Sequence, residues 1–450
     1  MSHVFYRRMA HRYPQAVRGQ GIYLWDADGR RYIDASGGAI VVNLGHGVAE
    51  VAQAMAEQAG HVAYVHGTLF TSAALEAYSD QLAARVPMAD PRFYYLTSGS
   101  EAVETALKFA RQVQVARGQA GREVIISRWG SYHGATLGTL AVSGKAKMRT
   151  LYAPMFRDQP HIPPPYCYRC PFGSTSARPF DARYSACDLA CAQALEAEIL
   201  RQGPDRVVAF IAEPAGGATL GAVVPPEGYW PLIRQICDRY GLLLIADEVL
   251  TGFGRTGRWF ALEHFGVQPD VMTMGKGATG GYFPLSITAA RAADVETIRQ
   301  AHGDFNHGGT FSHHAVGLAA ALATLHYLEA HELVMAAAAR GAYLGRCLQE
   351  IVGELPCVGD VRGLGMLWAV EFVADRATKA PFPPEQHFAQ RVCDLAFERG
   401  IILYPGSGSV DGVAGDHLLV APPFVITDEE IGEIVRELHQ AILDVWEEAR

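Results

Sequence analysis

Residues 242–277 read LLLIADEVLTGFGRTGRWFALEHFGVQPDVMTMGKG. Two short apolar runs, 242–246 (LLLIA) and 271–274 (VMTM), each end in polar residues: Asp247-Glu248-Val249 after the first and Gly275-Lys276-Gly277 after the second. Neither run alternates with polar residues, so each is apolar on both faces, as a strand buried between two helix layers must be. The pattern extends outward from there. Residues 93–97 (FYYLT) form a strand signal, followed by Ser98-Gly99-Ser100 and a helix-periodic run through Ala102, Val103, Ala106, Leu107 and Ala110. Residues 123–127 (EVIIS) and 206–212 (RVVAFIA) add two more. Strands alternating with helices predict an α/β domain built on a mainly parallel sheet.

The two ends of the chain read differently. Residues 22–34 (IYLWDADGRRYID) alternate apolar and polar around an Asp28-Gly29 turn, the mark of a half-exposed hairpin. Residues 362–373 (RGLGMLWAVEFV) and 401–404 (IILY) suggest further strands, and an amphipathic helix closes the chain from Asp428. Residues 1–62 and 329–450 are therefore expected to form one small α+β domain packed on a large domain of residues 63–328. No internal repeat and no linker rich in Pro, Gly or Ser interrupts the chain.

With 450 residues, the chain exceeds what one core usually serves. Hydrophobic residues at 49% against 19% charged exclude a disordered chain, and 47 glycines without a period exclude collagen. A net charge of −9 with no basic run makes nucleic acid and anionic membrane poor partners. The N-terminal stretch has no apolar h-region, and eight cysteines are too sparse for a disulfide scaffold, so a cytoplasmic protein is expected.

In open α/β sheets ligands bind beyond the carboxyl ends of the strands. Ser98-Gly99-Ser100-Glu101 opens a helix there, and free N–H groups with two small hydroxyls suit a phosphate. Read alone, the motif is equally an ordinary Ser N-cap with Glu101 in the first turn, which is the simpler account. Asp247 and Lys276, on successive strand ends, either meet in one cleft or form a structural ion pair. A lysine in such a cleft loses its proton by desolvation and attacks carbonyls as a Schiff-base nucleophile. An Asp at ring distance pairs with a protonated pyridine nitrogen. Lysine, Asp and phosphate cradle together are what pyridoxal phosphate requires. A nicotinamide dehydrogenase is excluded, since no strand leads into GxGxxG with an acidic residue downstream.

SGSEAVETALK (98–108), WGSYHG (129–134), AEP (212–214), ADEVLTGFGRTG (246–257), MGKGATGGYFPLS (274–286) and GGTFSHH (308–314) together resemble the class III aminotransferases. These are fold type I pyridoxal-phosphate enzymes, a group that includes the ω- or amine transaminases. The resemblance covers nearly the whole chain and implies roles at matching positions. Lys276 looks like the Schiff-base lysine that also moves the substrate proton. Asp247 matches the Asp that keeps the pyridine nitrogen protonated. Ser98, Gly99 and Ser100 match the phosphate cup. Tyr132 matches the aromatic that stacks on the ring, with His133 beside it and Val249 on the opposite face. Glu213 matches a glutamate near the ring. Thr310 matches a threonine that reaches the phosphate of the neighbouring subunit, which implies a homodimer with shared active sites, alone or paired into a tetramer. The expected reaction moves an amino group from an amine, ω-amino acid or amino acid to a keto acid such as pyruvate. The alternatives are a decarboxylating transaminase or an aminomutase on the same scaffold, and, from another class, a non-catalytic cofactor-binding protein.

The sequence departs from its amine–pyruvate relatives at the carboxylate site. Many of those place a mobile arginine just before the PP[FL] segment, but residues 404–423 here contain neither Arg nor Lys, and Ile40 stands where several have tryptophan. Arg18, Arg149, Arg157 and Arg258, neutral donors and a backbone nest all remain open as its replacement. Cys167, Cys170, Cys187 and Cys191 lie in an insertion (160–191) at a spacing close to a zinc ribbon. Thiols that pack the insertion, with no metal, are the expectation, and zinc is the alternative. His61, His66, His302, His307, His313 and His314 form no metal-ligand spacing.

Overall fold

The structure, a computed structural model, describes residues 3–9, 11–172 and 188–449. At its centre lies a seven-stranded sheet, with strands in the order Pro91–Leu96, Ser286–Arg291, Val271–Met274, Leu243–Asp247, Val207–Ala212, Val124–Arg128 and His161–Ile162. From Val271–Met274 to the far edge every pairing is parallel. Ser286–Arg291 runs antiparallel to both of its neighbours.

The parallel strands are buried on both faces, as their unbroken apolar runs predict. Leu243 and Ile245 join a core with Val103, Phe109 and Val113 of the helix Gly99–Ala116. Leu244 and Ala246 point the other way, into a core shared with Trp230, Ile233 and Ile236 of the helix Tyr229–Tyr240. One residue of offset thus sends neighbouring side chains to opposite helix layers. Each such side chain contributes about 1.5–3 kcal/mol of burial.

The ends of the chain meet. The hairpin Tyr23–Asp26 and Arg31–Asp34 extends a four-stranded sheet that begins at Ala16–Gln20, and its last member is Ile401–Ile402, parallel to Arg31–Asp34 with Ile401 opposite Ile33. A second four-stranded sheet contains Val358–Leu364, Leu367–Phe372, Asp416–Val420 and Tyr404–Ser407. The helix Asp428–Ala449 buries Ile431, Ile434, Val435, Leu438, Ile442 and Val445. The ends therefore carry two sheets.

Part of the insertion is tied to the second sheet by a buried ion cluster. Glu371 accepts from Arg169 Nε at 2.6 Å, from Arg362 at 2.7 Å, and from the Tyr166 hydroxyl. Burial pushes the Glu371 carboxyl up, but Arg362 and Arg169 outweigh it and hold it below its ordinary value. Cys167 and Cys191 are buried and Cys170 is half-buried, while Cys187 lies outside the described residues. Among the described residues no group of three or more His, Cys, Asp or Glu is arranged to hold a metal ion. No helix among them is long and apolar enough to cross a membrane.

Candidate active site at the strand ends

Because five neighbouring strands are parallel, the segments that leave their carboxyl ends gather on one side of the sheet. Tyr132 and His133 follow Val124–Arg128, and Glu213 follows Val207–Ala212. Asp247 ends its strand, and Lys276 comes two residues after Met274. All five line one cavity of about 1060 Å³, with Thr97, Gly99, Ser100 and Val249. Ala39 and Ile40 from the N-terminal part of the chain and Tyr404 from the C-terminal part close it.

Asp247 is held from three directions. His133 Nδ1 lies 2.7 Å from its Oδ2, while Thr273 Oγ1 and the Val249 amide donate to its Oδ1 at 3.0 and 3.2 Å. The bond to Thr273 follows from register, since Asp247 and Thr273 are opposite each other on adjacent strands. His133 and Asp247 are both buried, and His133 Nε2 has no hydrogen-bond partner. The sequence reading missed Thr273, although its place in VMTM, one strand from Asp247, was the available signal.

Lys276 Nζ donates to the Ala39 carbonyl at 2.9 Å. Burial, with repulsion from Arg255, overcomes the pull of Asp247 and Glu213 and lowers its pKa to about 8. Its φ of 43° is left-handed, a conformation that costs a non-glycine residue about 1–3 kcal/mol and clusters at functional sites. Glu213 accepts from the Gly217 and Tyr132 amides at 3.1 and 3.3 Å, and burial raises its pKa.

Both readings of the 98–101 motif describe the same turn. Ser98 caps the helix, its Oγ accepting from the Glu101 amide at 3.3 Å while Glu101 accepts from the Ser98 amide at 2.9 Å. That commits the Ser98 side chain and leaves Gly99 and Ser100, whose first-turn amides have no intrahelical acceptor, on the cavity wall. A Cβ on Gly99 would lie 2.9 Å from Val249 Cγ1, so only glycine keeps this wall open. Ser98 and Thr310 do not line the cavity. Thr310 is exposed, and its carbonyl accepts from the Tyr64 hydroxyl at 2.8 Å.

The donor set fits pyridoxal phosphate: an amine of lowered pKa for an aldehyde, a fixed carboxylate for a ring N–H, and a helix N-terminus for a phosphate. The sequence profile described as Aminotransferase class-III matches residues 6–442. The chain belongs to the class III aminotransferases. It is 37% identical to the uncharacterized aminotransferase YodT of Bacillus subtilis, covering 96% of both chains. It is also 37% identical to a taurine–pyruvate aminotransferase of Rhodobacter capsulatus, over 95% of this chain and 90% of that one. The solved structure of a thermostable (S)-enantioselective omega-transaminase from Thermomicrobium roseum superposes with a TM-score of 0.90 at 37% identity, over 99% of this chain and 96% of the other. This aminotransferase, like its family, depends on pyridoxal phosphate and transfers amino groups between small amines and keto acids.

None of the four arginines considered for a substrate carboxylate lines the aminotransferase cavity. Arg149 is turned inward onto the Leu140 and Ala141 carbonyls at 2.6 and 3.1 Å and pairs with Asp158. Arg157 pairs with Glu123 at 3.0 Å, and Arg18 lies over the Trp25 ring. Arg258 is exposed elsewhere. Besides Lys276, the lysines and arginines that line the cavity are Arg7, Lys145 and Lys147. Sequence reasoning passed over all three, which share no spacing or motif.

Proposed function

We propose that this aminotransferase takes the amino group of an amine or ω-amino acid and delivers it to a keto acid such as pyruvate, with Lys276 as the residue that carries the cofactor and moves the substrate proton. Pyridoxal phosphate, when bound, supplies the aldehyde that accepts the amino group and the ring that stores the electrons of the broken Cα–H bond. The protein's own residues do the rest. Lys276, with its pKa near 8, is available as a neutral amine to attack and then to take and return the proton. Asp247, fixed by His133 and Thr273, would present a carboxylate to the ring nitrogen and favour its protonated form. Tyr132 and Val249, which line the cavity, would enclose the ring, and Gly99 and Ser100 would hold its phosphate. Glu213 lines the same cavity, where it would stand near the ring, and anchors the Tyr132 backbone.

Thr310 is assigned to the phosphate of a neighbouring subunit, which makes the protein a homodimer, alone or paired into a tetramer. In support, Thr310 is followed in the chain by Phe311, an apolar side chain 57% exposed that a partner would cover. Residues 63–328 are assigned to the cofactor-binding domain and residues 1–62 and 329–450 to the small domain, supported by the pairing of Ile401 with Ile33. A cytoplasmic setting accords with the sparse cysteines.

The observation that carries the proposal is the convergence of Lys276, Asp247, Tyr132 and Gly99 on one cavity. Titrating the cofactor-loaded protein with amines and ω-amino acids, with no acceptor present, is expected to bleach the absorbance of the bound cofactor and raise that of pyridoxamine phosphate. A band that no amine changes, together with carbon dioxide release from α,α-disubstituted amino acids, would overturn it in favour of decarboxylation.

A further inference from the structure

Arg7, Lys145 and Lys147 line the same cavity as Lys276, yet no hydrogen bond or ion pair engages any of their side chains among the described residues. Their setting makes that unusual. Lys145 is half-buried, and burial, then repulsion from Lys147 and Arg7, lowers its pKa; no carboxylate acts to lift it. Nearby acids are committed elsewhere. Asp158 pairs with Arg149, and Asp411 accepts from the Val413 and Ala414 amides at 2.8 and 2.7 Å. Three like charges gathered without a counterion repel one another, and a chain of net charge −9 had ample acids with which to neutralise them.

The three cations also have a definite place relative to the reacting groups. Within the cavity Asp247 and His133 are buried, Lys276 and Lys145 are half-buried, and Arg7 and Lys147 are exposed. Arg7 and Tyr404 are both close enough to Tyr132 to bias its hydroxyl. The short helix Ala146–Arg149 that follows Lys145 is braced from behind, because a Cβ on Gly412 would stand 2.7 Å from the Ala146 Cβ. Lys145 therefore projects from a packed segment rather than a free loop.

We infer that Arg7, Lys145 and Lys147 form a receptor for a carboxylate remote from the reacting amine, so that the donors preferred by this enzyme are ω-amino acids rather than uncharged amines. The inference rests on the aminotransferase function proposed above and names its substrate class. An extended ω-amino acid places its amine beside Lys276 and its carboxylate among the three cations, where Lys145, the least exposed of them, gives the strongest charge-assisted bond. Arg7 and Lys147, more exposed, draw the anion in and secure the far side.

The test compares 5-aminopentanoate with pentylamine, which has the same chain without the carboxylate, in the cofactor-loaded enzyme and in Lys145→Gln, Lys145→Arg, Lys147→Gln and Arg7→Gln. For Lys145→Gln, kcat/KM for 5-aminopentanoate is expected to fall by about 10- to 100-fold more than that for pentylamine, with the loss mainly in KM. Lys145→Arg should restore most of it. Calorimetric binding of glutarate, which has neither amine nor carbonyl to react, should weaken in parallel and with rising salt. An equal loss for both donors, or glutarate binding indifferent to Lys145, would overturn the inference. So would a loss of cofactor affinity in Lys145→Gln, because it would place the cations on the cofactor phosphate. Failure of the aminotransferase function itself looks different: neither donor would then change the cofactor absorbance of the unaltered enzyme.

Discussion

Asp247 shows how one side chain's task is set by its neighbours. Its two oxygens are occupied by His133, Thr273 and the Val249 amide, so the carboxylate neither rotates nor meets bulk water. Replacement by Asn keeps the shape and removes the charge. Asp247→Asn is expected to lower turnover by about 10²–10³-fold with little change in melting temperature, checked by steady-state kinetics and thermal unfolding. Lys276 makes a second prediction at the same scale. Its ordinary pKa of 10.5 is lowered to about 8, so its neutral fraction rises as pH increases through 8 rather than through 10.5. In cofactor-free protein, reductive alkylation of Lys276 by a small aldehyde should be half-maximal near pH 8, read by peptide mass, while exposed lysines lag well behind. The pairing of Lys276 with Asp247 was legible in the sequence because both follow apolar runs that must be strands. Lys145, Lys147 and Arg7 were not, because a cation's unpaired state is a property of its surroundings and leaves no mark on spacing.

At the level of elements, the five strands expected from two-faced apolar runs are present within two residues of their expected limits. Ser286–Arg291 escaped notice. It begins Ser-Ile-Thr, is separated by only four residues from Gly280-Gly281, and its antiparallel pairing sets it between strands that the βαβ pattern joins side by side. The small-domain strands were expected, but their division between two sheets is set by tertiary pairing that no local pattern encodes. The helix Gly99–Ala116 supplies a third prediction. Gly99→Ala pushes a methyl against Val249, and cofactor binding should weaken by about 1–3 kcal/mol, measured as the concentration needed to restore absorbance. A fourth concerns the link between insertion and second sheet. Glu371→Leu leaves the half-buried Arg169 without its acid and the buried Arg362 with Asp360 alone, and unfolding in denaturant should show a loss of about 3–5 kcal/mol. Glu371 has a depressed pKa, so its contribution is present above its unfolded value and is lost as pH falls through the folded one.

Taken whole, the molecule places its catalytic candidates on the rigid sheet and its specificity candidates on segments from elsewhere: Arg7 and Ile40 from one end, Tyr404 from the other. A homodimer would complete that enclosure. Sedimentation of the loaded enzyme is expected to give twice the chain mass of 48.7 kDa or a multiple of it, and Thr310→Ala to weaken cofactor retention without changing that mass. The same joining of distant ends has a consequence during synthesis. The strand Arg31–Asp34 leaves the ribosome early, but its parallel partner, Ile401–Ile402, is translated only after residues 35–400 have been made. At 5–20 residues per second that interval is about 20 to 70 s, during which one edge of the hairpin sheet stays open to pairing with another nascent chain. The exposed arginines Arg30 and Arg31 sit at the start of that edge, where like charges on neighbouring polysomal chains repel. The enzyme thus spends its translation as an unclosed ring, protected at the seam by charge until Ile401 arrives to seal it.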